Sequence, residues 1–250
     1  MHNNDALNIA NLYSLYQCVA DSVKDCKIYE YEGYSIIKTS NSAWPNAVYN
    51  ITADNFSDDT VKQMKASMTE VEATPVIFDV YEERTAIYKQ NGILPADRWV
   101  GMCKDELTTI KPATFADNIT VGMLPEDAYV KWVSIVSASL FNNKPVEAEL
   151  FQSLPKDTND LVALWVEGNM VGTSMVHYDT NSTAGVYMVC VREEYRGRGL
   201  GKYLIEYCYK CILEKGGNRC VLQATQKGLP LYTSMGFNKF SNYTLFVKIR

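Results

Sequence analysis

Residues 187–214, YMVCVREEYRGRGLGKYLIEYCYKCILE, decide the fold of this chain. The first five residues are apolar and rich in β-formers, which predicts a buried strand that ends near Val191. From Leu200 to Ile212, apolar residues recur at steps of three and four, which predicts a helix with one buried face. The stretch therefore predicts a strand that leads into a helix through a short turn.

The turn between these two elements is rich in glycine and positively charged. Its glycines are Gly197, Gly199 and Gly201, and its cationic residues are Arg192, Arg196, Arg198 and Lys202. Glycine lets a backbone come close to a ligand, and the first amides of a helix have no intrahelical partner. Because such amides and the positive end of a helix dipole bind phosphate oxygens, the turn predicts a phosphate-containing ligand.

The glycine spacing separates this turn from two common phosphate-binding motifs. A dinucleotide-binding loop, G-x-G-x-x-G, needs its third glycine where Lys202 stands. A Walker A loop needs a glycine in place of Arg196 and a serine or threonine in place of Tyr203. Neither motif is therefore present in this turn.

The hexapeptide at residues 196–201, RGRGLG, resembles the Q/R-x-x-G-x-G/A signature of the GNAT superfamily of N-acetyltransferases. A second stretch at residues 221–237, VLQATQKGLPLYTSMGF, resembles the strand and helix that follow in this family and end in a pattern like LYxxxGF. In GNAT proteins the loop amides hold the pyrophosphate of acetyl-coenzyme A. The resemblance implies that acetyl-coenzyme A is the acyl-donor substrate, and it requires no metal.

The resemblance also implies which residues contact the donor. They are Val189, Cys190, Val191, Arg196, Gly197, Arg198, Gly199, Leu200, Gly201 and Lys202. The pantetheine arm would lie like an added strand along Val189–Val191, in a slot formed where this strand splays away from Val221–Thr225. One backbone N–H in Val189–Val191 would face the thioester oxygen as an oxyanion donor.

Tyr232 matches the position at which many GNAT enzymes carry a tyrosine near the sulfur of coenzyme A. A phenol has a pKa near ~10 and a thiol near ~8.5, so we expect a hydrogen bond that stabilises the thiolate rather than full proton transfer. The alternative is a tyrosine that only packs in the apolar face of its helix, beside Leu231 and Met235.

The sequence offers several candidates for the base that deprotonates the amine. Histone-type relatives carry a glutamate on the strand before the loop, but residues 184–188 contain no acid. His177 is the first candidate because a histidine titrates near neutral pH, although a lone histidine on a strand is commonly structural. Glu149, Glu167 and Asp179 are weaker candidates, and a water chain would leave no trace in the sequence.

The acceptor site is expected where the helical pair at about 125–155 and the hairpin strands face the thioester. Four aromatic residues are candidates for its lining: Trp132, Phe141, Tyr178 and Tyr187. Aromatic residues at such spacing are commonly core residues instead. An N-terminal half that covers one side of this cleft would exclude bulky protein substrates.

The order of predicted elements gives the fold class. Residues 105–250 read as strand, two helices, three strands, helix, strand, helix and strand, which is the order of the GNAT fold. We therefore expect an α/β (α+β) protein whose mixed, mostly antiparallel twisted sheet is flanked by helices. Residues 105–250 would form its GNAT acetyltransferase domain.

Residues 1–104 are expected to form an N-terminal α/β domain. They read as a helix to residue 27, a strand over 30–39 and further short elements. The segment at 86–93, AIYKQNGI, repeats the tyrosine-to-glycine interval of LYTSMGF, and each segment lies between two strands. This half is either a degenerate GNAT copy, as in tandem GNAT proteins, or a coincidental strand–helix–strand unit. Without a glycine loop, it should not bind coenzyme A.

Composition narrows the function classes. With 24 Lys and Arg against 29 Asp and Glu, the chain has a net charge of −5, which argues against nucleic-acid and membrane-surface binding. No apolar run approaches the ~20 residues that span a bilayer, and the N-terminus lacks a signal-peptide pattern. Seven scattered cysteines are typical of reduced thiols in a cytoplasmic protein, and only two histidines accompany them, so no metal site is expected.

These observations predict a cytoplasmic N-acetyltransferase that transfers an acetyl group to the primary amine of a small molecule. The amine would attack directly in a ternary complex, where orientation of the two reactants removes much of the barrier. Two alternatives stay open: a non-catalytic acyl-coenzyme A-binding or sensing module, and a GNAT enzyme with another acyl donor. The sequence also leaves a homodimer open.

Overall fold

The computed structural model describes residues 3–52, 56–73, 75–107, 118–180 and 183–248. The elements up to residue 104 are α1 (Asn3–Ser22), β1 (Cys26–Tyr31), β2 (Tyr34–Thr39), β3 (Ala47–Tyr49), α2 (Asp58–Glu70), β4 (Val76–Asp79), α3 (Thr85–Gln90) and β5 (Ile93–Lys104). Those that follow are β6 (Ile119–Met123), α4 (Tyr129–Leu140), α5 (Ala148–Gln152), β7 (Asn159–Val166), β8 (Asn169–Tyr178), β9 (Ala184–Val191), α6 (Leu200–Glu214), β10 (Cys220–Thr225), α7 (Leu229–Ser234) and β11 (Asn238–Lys248).

These strands form one sheet in the order β1-β2-β3-β4-β11-β5-β10-β9-β8-β7-β6. Neighbouring strands pair antiparallel except for β3 with β4 and β9 with β10, which are parallel. The mixed, mostly antiparallel sheet confirms the predicted fold class. The order from β6 to β11 is the order expected for the GNAT fold, with its first strand at Ile119–Met123. The segment 108–117 lies outside the described residues.

Two strands are exchanged between the halves of the chain. β5 lies between β11 and β10, and β11 lies between β4 and β5. Outward from the central β5–β11 pair, each direction gives the same series: an antiparallel, a parallel and two more antiparallel pairings. Helices follow the matching strands too, since α2 and α3 follow β3 and β4 as α6 and α7 follow β9 and β10. The connectivity of the sheet is therefore two-fold pseudosymmetric, with β6 as an addition.

The beginning of the chain differs from the sequence prediction. The expected strand over 30–39 is a hairpin of β1 and β2, because Gly33 adopts a φ of +85° at the turn between them. The first helix ends at Ser22 instead of residue 27, and Cys26 already belongs to β1. The helix and its following strand thus meet without a long connection.

Helices cover both faces of the sheet. On one face α1, α4 and α5 bury residues such as Leu15, Trp132 and Phe151. On the other face α6 and α7 pack on β7 to β10 through residues such as Leu204 and Leu222. The C-x-x-C pair, Cys208 and Cys211, lies in α6 with both side chains buried as free thiols.

A buried ion pair lies beside a further hydrophobic core, to which α2 and α3 contribute. The guanidinium of Arg84 lies 3.3 Å from an Asp79 carboxylate oxygen, and the two side chains are nearly inaccessible to solvent. It also lies 4.2 Å from the ring centre of Phe56 and 4.0 Å from that of Tyr81. The Tyr88 hydroxyl donates to the same carboxylate at 2.7 Å. Burial raises the pKa of Asp79, while Arg84 and Tyr88 act to lower it.

We predict that Arg84→Met destabilises the fold by about 3–5 kcal/mol, because it leaves the Asp79 carboxylate buried without its counter-charge. Chemical denaturation measures the loss. Lys62→Met is the matched control, since Lys62 and Asp58 form an exposed pair at 2.5 Å and such pairs contribute only about 0–1 kcal/mol. Equal losses in the two variants would contradict the role of the buried pair.

Candidate active site

A gap opens between β9 and β10. Their described register comprises two pairs, Cys220 with Ala184 and Val221 with Gly185. Beyond these pairs β9 runs to Val191 and β10 to Thr225. Because the outer edges of the two strands stay paired with β8 and β5, the gap widens toward the carboxyl ends of β9 and β10. This is the splay that the sequence resemblance implied.

A β-bulge in β9 shapes one wall of the gap. Met188 has a φ of +52°, and the register with β8 shifts between Thr173 and Met175. The Thr173 hydroxyl donates to the Met188 carbonyl at 2.9 Å. A bulge inserts one residue that the partner strand does not match, which re-aims the backbone next to it. The main chain of Val189–Val191 therefore leaves the bulge in a new direction along the gap.

The glycine turn lies at the open end of the gap. Gly197 and Gly199 have φ values of +76° and +74°, and a Cβ at either would meet no atom within 4 Å. Gly199 is the N-cap of α6 and offers no side chain to the helix. In the described part of the chain, the amides of residues 197–201 have no hydrogen-bond partner. The turn thus presents free N–H groups to solvent at the positive end of a 15-residue helix.

Cationic side chains surround this turn. Arg196 donates from Nε to the Val191 carbonyl at 2.9 Å, which ties the turn to the end of β9. Arg198 donates to the Glu194 carbonyl at 3.3 Å, and Lys202 lies 3.6 Å from a Glu206 carboxylate oxygen. A cavity of ≈ 300 Å³ adjoins the turn on the side of α4, where its lining includes Ser134, Ser139, Arg192 and Arg196.

Tyr232 lies on α7 beside the gap. Its ring is buried and meets the Phe237 ring edge-on at 5.6 Å. Burial raises the pKa of its phenol, and the neighbouring Cys190, Cys208 and Cys220 raise it further. The hydroxyl makes no hydrogen bond with any described residue, so it is available to a ligand.

His177 lies near the end of β8, opposite Gly185, where β9 is still paired with β10. It is only 2% exposed. Its Nδ1 lies 2.9 Å from the Asn159 amide oxygen and therefore donates, so Nε2 accepts from the Ser14 hydroxyl at 3.0 Å. Burial lowers the pKa of His177 to about 4. With both nitrogens bonded at the closed end of the gap, this geometry favours a structural role over the catalytic role expected from the sequence.

The other candidate bases lie apart from the open end of the gap. Glu167 occupies the β7–β8 turn with a φ of +52°, and Glu149 lies in the first turn of α5. Asp179 accepts from the Thr183 amide and from the Asn11 side chain, both at 3.1 Å. The structure therefore does not bring these carboxylates together with the glycine turn.

The four aromatic candidates for the acceptor site lie in different parts of the structure. Trp132 is fully buried, and its Nε1 donates to the Val162 carbonyl at 2.9 Å, as expected for a core residue. Tyr178 bonds to Asp160 on the α6 side of the sheet, and Phe141 ends α4. Tyr187 alone among the four borders the narrow end of the gap, where its hydroxyl donates to Asn11 at 2.7 Å.

Asn8 and Asn11 of α1 also reach this end of the gap, and neither is a residue that the sequence predicted for the site. Both are 0% exposed. A sequence signal exists, because two asparagines three residues apart precede Leu12, Leu15 and Val19 on the buried face of α1. Polar residues at buried helical positions indicate hydrogen-bonded partners.

Among the residues that the structure describes, no group of three or more His, Cys, Asp or Glu side chains could hold a metal ion. Every described helix is too short or too polar to cross a bilayer.

We predict that Gly199→Val abolishes binding of acetyl-coenzyme A, with at least a ~100-fold loss of affinity, because a branched residue is strained at positive φ and displaces the free amides. Gly216→Val is the matched control, since Gly216 has a φ of +78° in open space at the other end of α6. Calorimetric titration should give one site per wild-type chain, no site in Gly199→Val and an intact site in Gly216→Val. Tight binding by Gly199→Val would refute the assignment of the turn.

His177 predicts a pH dependence of stability. The folded pKa of about 4 lies below the ordinary ~6.5, so between these values the unfolded chain holds the extra proton. The free energy of unfolding should therefore fall as the pH drops through this window, by up to ~3 kcal/mol. His177→Gln should flatten this dependence and keep acetyl transfer at neutral pH. Loss of turnover with unchanged stability would instead restore His177 as the base.

Comparisons with known proteins agree with this geometry. Residues 158–239 match the family model described as an acetyltransferase (GNAT) domain. No curated protein sequence matches the chain significantly. Among solved structures, a GCN5-related N-acetyltransferase from Kribbella flavida has a TM-score of 0.72 and 12% identity over 97% of this chain and 96% of that chain.

Two further solved structures share the fold. A tandem GNAT protein from the clavulanic acid biosynthesis pathway has a TM-score of 0.62 and 10% identity, over 97% of this chain and 92% of that chain. A GCN5-related glucosamine N-acetyltransferase region of a fungal multi-domain β-N-acetylglucosaminidase has a TM-score of 0.62 and 11% identity, over 98% of this chain and 37% of that chain. Residues 158–239 thus match a GNAT acetyltransferase domain, and the chain shares its fold with these solved structures.

Proposed function

We propose that the protein is an acetyl-coenzyme A-dependent N-acetyltransferase that acetylates the primary amine of a small molecule. One observation carries the proposal: a turn with five unpartnered amides lies at the open end of a gap between two parallel strands. The turn suits a diphosphate, and the gap suits the extended arm that joins the diphosphate to a thioester.

The donor would be held along β9 and its turn. The amides of residues 197–201 would bind the pyrophosphate, with Arg196, Arg198 and Lys202 supplying positive charge. The pantetheine arm would bond to the main chain of Val189–Val191, which the bulge at Met188 directs along the gap. Edge pairing of this kind uses backbone groups, so it needs no particular side chains on β9.

The chemistry would proceed by direct attack of the neutral amine on the thioester carbonyl. A C–N bond forms, the C–S bond breaks, and the negative charge passes from the carbonyl oxygen to the sulfur. The proton that the nitrogen loses passes to the leaving sulfur or to solvent, which yields the amide and free coenzyme A. A backbone N–H of Val189–Val191 would donate to the oxyanion. Because burial raises the pKa of Tyr232, its hydroxyl stays protonated and would donate a hydrogen bond to the leaving thiolate. We assign no side chain as the base, since His177 is already bonded at both nitrogens.

The proposed acceptor class draws on the structural neighbours and on the shape of this chain. One neighbour is described as a glucosamine N-acetyltransferase region, whose acceptor is a small amine. In this chain α1 covers the sheet beside the gap, which leaves less room for a protein substrate. Seven free cysteines suit a reducing compartment, so we propose the cytoplasm as its location.

We further propose that residues 1–104 are a degenerate GNAT copy and residues 105–250 the active one. The pseudosymmetric connectivity supports this, and Tyr88 on α3 occupies the place that Tyr232 holds on α7. Where α6 begins with glycines and cations, α2 begins with Ser57, Asp58 and Asp59. Negative charge at that helix start opposes phosphate binding, so the chain should hold one donor molecule.

A non-catalytic acyl-coenzyme A-binding module is the second candidate, because His177 is bonded at both nitrogens and Glu149, Glu167 and Asp179 lie apart from the glycine turn. Turnover separates the two. Incubation with acetyl-coenzyme A and a panel of small amines should release free thiol if the protein is an enzyme. Donor binding without thiol release from any amine would favour the binding module.

We predict that Tyr232→Phe lowers kcat by about 10–100-fold, the value of one hydrogen bond to a developing charge, and changes donor affinity less. Tyr209→Phe is the matched control, since Tyr209 is buried, contacts the same Phe237 ring and has an unpartnered hydroxyl. Its kcat should stay near that of the wild type. Equal kcat values in the wild type and Tyr232→Phe would exclude this role for Tyr232.

A further inference from the structure

The narrow end of the gap is crossed by four polar side chains. Asn8 and Asn11 come from α1, Tyr187 from β9 and Gln223 from β10, and we call this set the polar bridge. It lies directly beyond the last strand pair, Gly185 with Val221.

Hydrogen bonds join the members of the polar bridge to one another and to the backbone on both sides of the paired segment. Gln223 donates to the Asn8 oxygen at 2.7 Å, and Tyr187 donates to the Asn11 oxygen at 2.7 Å. Asn8 donates to the carbonyl of Leu222 in β10 at 3.0 Å, and Asn11 to the carbonyl of Thr183, just before β9, at 2.9 Å. These bonds fix α1 across the paired segment of β9 and β10 and the residues directly beyond it.

Backbone space at Gly185 indicates that the polar bridge is tightly built. A Cβ on Gly185 would lie 1.9 Å from the Asn11 oxygen and 2.7 Å from the Tyr187 hydroxyl. Only a glycine therefore leaves room for both side chains at this position of β9. With Asn8 and Asn11 both inaccessible to solvent, the narrow end of the gap is filled on this face of the sheet.

We propose that the polar bridge is the end stop for the acyl group of the donor and restricts the donor to short acyl chains. The proposal rests on the proposed function. The phosphates would lie at the carboxyl end of β9, so the arm points back along the strand toward Tyr187. Tyr187 precedes Val191 by four residues, about 13 Å of strand. The acyl group would thus point toward the polar bridge.

Two physical effects make the bridge selective. A longer chain would need space that Asn8, Asn11 and Tyr187 already fill. Its methylenes would also separate buried donors and acceptors that now pair with one another, and unpaired buried polar groups are costly. Pockets of fixed size separate substrates by about 10–200-fold per methylene where the extra group does not fit.

The test is a calorimetric titration of the full chain with acetyl-, butyryl- and hexanoyl-coenzyme A, which needs no acceptor. The wild type should bind acetyl-coenzyme A at least ~100-fold more tightly than hexanoyl-coenzyme A. Asn11→Ala should shift this ratio by at least ~10-fold toward the longer donor. Gln223→Met should shift it in the same direction, because it keeps the side-chain length and removes one of the two donors to the Asn8 oxygen, the other being the Tyr243 hydroxyl at 3.1 Å.

Asn46→Ala controls for general destabilisation, since the Asn46 amide bonds to Ser42 and Thr39 in the N-terminal half, away from the polar bridge. Adenosine 3′,5′-bisphosphate, which lacks the arm, should bind all four proteins equally and show that they are folded. A wild type that binds the three donors equally overturns the end stop alone. The end stop is also overturned if Asn11→Ala and Gln223→Met show the same ratio of acetyl- to hexanoyl-coenzyme A affinity as Asn46→Ala. If the wild type binds no donor, the proposed function fails and the end stop with it.

Discussion

The site depends on the early parting of β9 and β10, which share only two residue pairs. A strand that leaves its neighbour exposes main-chain N–H and C=O groups, and these need other partners. At the narrow end, Asn8 of α1 bonds to Leu222 of β10 and Asn11 bonds to Thr183 just before β9. At the wide end, the amides of residues 197–201 have no partner among the described residues. In the gap, β9 and β10 therefore do not pair with each other.

The outer pairings keep this gap open. β9 is held by β8, and β10 is paired with β5 along six residues from Trp99 to Lys104. β5 belongs to the N-terminal half. The half without a glycine turn therefore supplies the strand that pairs with β10. Exchange of β5 and β11 makes the halves interdependent, because each half of the sheet contains an inner strand from the other half of the chain. Residues from both halves of the chain thus hold β10, one border of the gap, in place.

Local signals made the turn and its flanking elements predictable from sequence. The β-formers before Val191, the glycines at 197 and 199 and the helical period after Leu200 all act within a few residues. The features that the sequence does not predict depend on distant contacts or on main-chain geometry. Asn8 bonds to Leu222, 214 residues away, and the positive φ of Met188 has no residue-type signal. The exchange of β5 and β11 likewise depends on strand pairing between the halves. Local periodicity in the sequence does not predict which strands pair.

Tyr88 on α3 and Tyr232 on α7 have different surroundings. Tyr88 donates to Asp79, whose charge is met by Arg84, and these side chains fill the space beside β4. Tyr232 has a buried ring and a hydroxyl with no described partner beside a gap that stays open. A buried hydroxyl without a partner is costly in a core and useful in a site. Tyr88, Asp79 and Arg84 therefore satisfy one another in the N-terminal half, whereas the Tyr232 hydroxyl has no partner among the described residues.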